Sequence, residues 1–208
     1  MVKLNHEEDG VAADWRQRQK QQLRRQLYET AVELFERDGY DSTTVQQITE
    51  RVGVAKGTFF NHFPTKEHVV EEWYSGLTVA CLKRARKRRG STAEDAVCRL
   101  VVEMAGKAAS TPELMAAKAQ HSSHPLLVTA EQAQSDELAD FVRAQCAAGK
   151  ERGELDAGLD EEFFAGLLVA VLTGTSRAWV RALPRFDFAG VVEERLRFLF
   201  RAARASQG

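Results

Sequence analysis

The chain has 208 residues, with 29 Lys and Arg against 30 Asp and Glu and a formal net charge of -1 at pH 7. Its 44% hydrophobic and 28% charged residues are ordinary globular usage, which excludes a disordered chain and leaves enough apolar mass for an unstapled core. The total gives no sign of a nucleic-acid partner, so charge has to be read along the chain.

Other classes fall away as quickly. No run reaches the roughly 18 apolar residues of a membrane span. The opening residues, Met1 to Asp9, carry no apolar segment of a secretion signal. Cys81, Cys98 and Cys146 are odd in number and far apart, which predicts a reducing, cytoplasmic setting and no disulfide framework.

Pro64, Pro112, Pro125 and Pro184 are the only prolines, and between them strong helix formers dominate. The chain therefore reads as all-α, with about nine helices. Residues 1–14 read as a flexible, acidic-leaning tail. A first helix runs from about Trp15 to Arg37, with Leu23, Leu27, Ala31, Leu34 and Phe35 as its buried stripe. Gly39 ends it. Thr44 with Gln47 fits a capping box, so a second helix starts there and stops at Gly53. A third short helix covers Ala55 to His62. Thr65 caps a fourth, Lys66 to about Arg88. The remainder gives five more: from Ser91 or Thr92 to Ser110, a short one after Pro112, Pro125 to Ala148 with a break near Ser135, Leu159 to Leu183, and Asp187 to Ala203.

Two short helices on a tight glycine turn, held between longer ones, make a helix-turn-helix. A short helix fits end-on into a major groove about 12 Å wide. Lys56 can reach a phosphate or a guanine edge, and Asn61 an adenine edge or a phosphate. Gly57 lets the backbone approach closely, and Thr58 offers a hydroxyl. The amides near Thr44 suit a phosphate, and Gln46 lies on the same helix. Residues 15–66 hold nine basic and six acidic side chains, a local net of +3, with the first basic groups clustered at the start.

The run Thr43-Thr44-Val-Gln-Gln-Ile-Thr-Glu-Arg-Val-Gly53-Val-Ala-Lys56-Gly57-Thr58-Phe-Phe-Asn-His62-Phe63-Pro64-Thr-Lys66-Glu67 closely resembles the N-terminal domain of the TetR/AcrR family of bacterial transcriptional repressors. Ala31 to Tyr40 is similar to that family's first helix and its glycine-aromatic ending. The resemblance implies a helix-turn-helix DNA-binding domain, here residues 15–82. It also implies a helical ligand-binding and dimerisation domain, residues 83–208, and a two-fold homodimer reading a palindromic operator. On that resemblance Arg24 and Arg25 approach the DNA backbone, and Thr43 or Thr44 binds a phosphate. Lys56, Gly57, Thr58 and Asn61 face the groove, and His62 and Lys66 cover the backbone. Phe60 stands where members often carry a tyrosine, so one hydroxyl is absent.

Beyond residue 82 the reading is coarser. Lys83 to Arg89 is a basic run at a helix end, expected as a solvated face that suits the helix dipole. Candidate walls of a pocket between helices are Trp73, Leu77, Met104, Met115, His121, His124, Phe141 and Phe164, which predict a small, mostly apolar effector. Arg143 or Arg177 is a candidate partner for an acid. Phe163, Leu167, Ala170, Val171, Gly174, Val192, Leu196 and Leu199 are expected at a subunit interface. His121 and His124 lack nearby metal-ligand partners, so no metal and no cofactor is expected. Cys146 is the cysteine least excluded as an oxidant sensor.

The function expected is a ligand-responsive transcriptional regulator, a repressor released by its effector, with double-stranded DNA, a small molecule and a second copy as partners. An activator of the same fold is the nearest alternative, and a helical adaptor a more distant one. An enzyme lacks its chemistry here: there is no G-x-S-x-G, phosphate loop or His-Glu-x-x-His set.

Overall fold

A computed structural model describes residues 5–88, 90–182 and 185–204, with side chains from residue 14 onward. Among the described residues there are nine α-helices: α1 (Asn5–Asp38), α2 (Val45–Val52), α3 (Lys56–Phe60), α4 (Lys66–Lys87), α5 (Ala93–Ala109), α6 (Pro112–Gln120), α7 (Pro125–Glu151), α8 (Glu161–Arg181) and α9 (Phe188–Ala202). The break expected at Pro184 and the last residue of the basic run, Arg89, lie outside the described residues.

The chain divides into two compact units, Met1–Val70 and Glu71–Gly208. The division falls inside α4, twelve residues before the boundary expected at 82 and 83. The cause is what the rest of α4 binds. Thr78 Oγ1 donates to Gln134 Oε1 at 2.7 Å, and Arg84 Nε donates to Glu103 Oε1 at 2.6 Å, both inside the second unit.

In the first unit α1 starts at Asn5, so the expected tail is helical from that residue and residues 1–4 lie outside the described residues. Leu27, Ala31, Leu34 and Phe35 are buried as expected, whereas Leu23 stays half-exposed. Gly39 at φ +87° makes the turn out of α1, in the left-handed region that favours glycine. Thr44 caps α2 through the capping box with Gln47, and Gly53 ends it at φ +80°. Ile48, Phe59, Phe63, Val69 and Val70 complete this small core.

In the second unit α5 packs on α9, α7 on α8, α8 on α9 and α6 on α8. Phe188, Val192, Leu196 and Phe200 recur every four residues and form the buried stripe of α9. α7 runs unbroken through Ser135. Gly149 is needed where α7 passes α5, because a Cβ there would lie 2.9 Å from Ala93 Cβ. Glu94, at the start of α5, takes Arg197 at 3.1 Å and Arg204 at 2.8 Å, which ties the end of the chain back to it.

One exclusion needs correcting. By length and composition α8 is apolar enough to cross a bilayer. Thr173, Gly174 and Thr175 interrupt its apolar run, which is why counting consecutive apolar residues missed it. Here Phe164, Ala165, Leu168, Thr175 and Trp179 of α8 are buried.

Candidate DNA-binding surface and effector cavity

The surface of the first unit is built on α2, the Gly53 turn and α3. Arg51 of α2 pairs with Glu33 of α1 at 2.6 Å at the surface. Phe59 is fully buried and meets Phe63 at 5.6 Å, so α3 is pinned from below. Its other side stays open: Lys56, Gly57, Phe60 and Asn61 are exposed and Thr58 is half-exposed. Phe60 is 44% exposed, unusual for an aromatic with no solvent-facing polar atom. Thr44 and Gln46 are also exposed, Gln46 with its amide on Glu50 at 2.8 Å. Arg25 is exposed and pairs with Glu29 at 2.7 Å.

Arg24 lies over the ring of Phe63, 4.6 Å from its centroid. It stands near His62, as does Lys20, which the sequence reading did not single out. Burial, then Lys20 and Arg24, lower the His62 pKa below the ordinary value and favour the neutral ring.

Two expected phosphate contacts are turned inward. Thr43 is 1% exposed and its hydroxyl donates to Gly39 O at 2.8 Å and Leu34 O at 3.2 Å. That leaves Thr44 as the threonine able to meet a phosphate. Lys66 Nζ donates to Tyr40 O at 2.7 Å and Thr43 O at 2.8 Å, and sits 4.2 Å from the centroid of the Tyr40 ring. The next residue, Glu67, accepts from the Tyr40 hydroxyl at 2.9 Å. Lys66 and Glu67 thus clamp the loop between α1 and α2.

The second unit holds a cavity of about 640 Å³. Of the expected wall residues Leu77, Met104 and Met115 line it. Trp73, His121, His124, Phe141 and Phe164 do not: Phe164 packs on Phe200 at 5.1 Å, and Phe141 lies at a separate, arginine-rich cleft. His124 instead stands at the N-terminus of α7.

The cavity lining is also charged. Lys118, Glu131, Arg177 and Arg181 line the cavity. Lys118 Nζ is 3.2 Å from Glu131 Oε2 and 4.2 Å from the Tyr74 ring centroid, and Arg177 reaches Glu131 at 3.9 Å. Burial pushes the Lys118 pKa down and the Tyr74 pKa up. Beside them Gln134 is held by Thr78 and donates to Ser75 Oγ at 2.8 Å. Arg143 is occupied elsewhere, by Asp140 and by Glu162. The missed residues carried a signal: Leu127, Glu131, Gln134 and Leu138 share one helical face, as do Leu114, Met115 and Lys118.

Of the expected interface residues Phe163 is 70% exposed and Leu167 38% exposed, with Ala170 and Gly174 on the same open face of α8. Val171 and Leu199 are half-exposed. Val192 and Leu196 are fully buried within the chain's own core and are removed from the set. Phe198, 64% exposed, is the apolar residue of α9 that faces outward. All three cysteines are buried, and burial pushes the Cys146 thiol up to about 11, which removes it as a ready oxidant sensor. No cluster of three metal-ligating side chains occurs among the described residues.

A glycine-joined helix pair held between α1 and the start of α4, followed by a helical body with a cavity, defines a helix-turn-helix protein with a separate second domain. Residues 27–73 match the family model described as bacterial regulatory proteins, tetR family. The transcriptional regulator TcmR of Streptomyces glaucescens is 46% identical over 67 residues, which are 32% of this chain and 30% of that protein. The transcriptional repressor DhaR of Mycobacterium sp. strain GP1 is 36% identical over 78 residues, 36% of this chain and 35% of its own. The chain therefore matches about a third of the length of these relatives. Beyond that third the likeness is of fold. The Thermus thermophilus repressor FadR, solved in complex with lauroyl-CoA, aligns with a TM-score of 0.71 at 24% identity over 89% of this chain and 97% of its own. Residues 27–73 thus carry the DNA-binding domain of TetR-family regulators, and the rest of the chain shares the fold of such proteins.

Proposed function

We propose that the protein is a ligand-responsive repressor that binds a palindromic operator as a homodimer and releases it when a small molecule enters the second unit. The observation that carries this reading is the exposed set Lys56, Gly57, Phe60 and Asn61 on a helix whose buried face is fixed by Phe59. An exposed lysine and asparagine on a short helix can read base edges while Thr44 and the Arg24 region meet phosphates. The exposed apolar face Phe163, Leu167, Ala170 and Gly174 favours a second copy, and a two-fold pair of reading helices calls for a palindromic site. Effector binding acts by favouring one of two arrangements of the pair. The setting is the cytoplasm, where the operator lies.

The test is capture of genomic fragments on the purified protein at physiological salt, followed by footprinting. The reading expects a protected site with two-fold symmetry. Fragments retained only at low salt, with no protected site, would overturn it.

A further inference from the structure

The cavity of the second unit has a mixed lining. Leu77, Met104, Met115, Leu138, Leu172 and Phe188 give it apolar surface. The same wall carries three cations, Lys118, Arg177 and Arg181, against one carboxylate, Glu131. Lys118 has a side chain only 12% exposed, and a buried ammonium needs a partner to stay charged. Its carboxylate partner also faces Arg177 at 3.9 Å. The wall therefore has a surplus of positive charge beside an apolar chamber. A neutral ligand leaves that surplus uncompensated, and a cationic ligand adds to it.

Resting on the reading of this cavity as the effector site, we propose that it takes an apolar molecule ending in one anionic group. The anion meets Lys118 and Arg177 and competes with Glu131 for both. The volume, about 640 Å³, suits a molecule of ordinary cofactor or drug size. The consequence is structural as well as chemical. Lys118 lies on α6 and Glu131 on α7, so an anion that takes Lys118 loosens the ion pair between these helices. Ligand occupancy is thereby linked to the α6–α7 tie.

The experiment uses the full chain and the neutral fluorescent probe N-phenyl-1-naphthylamine, displaced in turn by decanoate, decanol and decylamine. Decanoate is expected to displace it about tenfold more effectively than decanol, a difference of about 1.4 kcal/mol, with decylamine weakest. Lys118→Met is expected to bring decanoate and decanol level, and Arg177→Met, at a side chain 64% exposed, to do so in part without a loss of fold. Glu131→Gln, which removes the competing anion, is expected to raise decanoate affinity. A loss of fold would lower decanoate affinity in all three variants, so the opposite sign in Glu131→Gln separates the two causes. A probe that binds and is displaced equally by decanoate and decanol overturns this inference alone. A probe that does not bind overturns the effector reading and this inference with it.

Discussion

The ammonium of Lys66 lies 2.7 Å from the main-chain oxygen of Tyr40 and 4.2 Å from the centroid of that residue's ring. One side chain at the start of α4 thus holds both the backbone and the aromatic group at the opening of the α1–α2 loop. Lys66→Met should lower the stability of the first unit by about 1–3 kcal/mol, since it removes two charge-assisted hydrogen bonds from part-buried carbonyls. Urea unfolding should show a lower midpoint at unchanged slope. The salt dependence of DNA binding should keep its slope, because this lysine is turned away from phosphate.

His62 gives a pH dependence whose sign is fixed by its neighbours. Burial, Lys20 and Arg24 lower its pKa in the folded protein. The stability it contributes is therefore full above the ordinary histidine pKa of about 6.5 and falls as pH drops below it. A DNA phosphate brought against the ring reverses the balance and favours the cation, so binding takes up a proton. Affinity for DNA measured from pH 8 down to pH 6 should rise, and His62→Gln should flatten the rise.

Gly149 lies at a close approach of α7 to the start of α5. Gly149→Ala puts a methyl 2.9 Å from Ala93 Cβ and 3.0 Å from Leu155 Cδ1. Leu155 can turn its terminal methyl aside, but Ala93 Cβ is fixed to its backbone, so the helices must separate. A loss of about 1–3 kcal/mol is expected in thermal unfolding, whereas Gly106→Ala, inside α5 with nothing within 4 Å, should stabilise by up to about 1 kcal/mol through helix propensity.

The open face of α8 predicts the assembly. Phe163→Lys with Leu167→Glu should leave the chain folded, because both residues are exposed. Light scattering should show the mass fall from two copies to one, and operator affinity should fall with it.

Much of this layout was legible in the sequence because helix ends are written in local chemistry. Thr44 with Gln47, Gly53, Thr92, Pro112 and Pro125 each mark a terminus that the structure places within a residue or two. The polar cavity wall was not legible, because Lys118 and Glu131 each look like solvated charges. Their pairing across 13 residues, with the Tyr74 ring beside Lys118 and Arg177 beside Glu131, makes their burial tolerable. Thr43 and Lys66 were misjudged for a related reason: their partners are backbone carbonyls, which carry no sequence signature. Val192 and Leu196 were read as interface because α9 is apolar on both sides, Val192 and Leu196 inward and Phe198 outward, and composition does not rank the two.

In the proposed function the exposed side of α3 reads DNA. The most direct measurement is fluorescence anisotropy on a fragment recovered by genomic capture, comparing the wild type with Lys56→Ala and Asn61→Ala at several salt concentrations. Asn61→Ala should cost about 1–3 kcal/mol on the specific site and leave binding to unrelated DNA unchanged. Lys56→Ala should weaken the specific site and, if its contact is to phosphate, reduce the salt slope by about one. Wild-type affinity and salt slope in both variants would contradict the account.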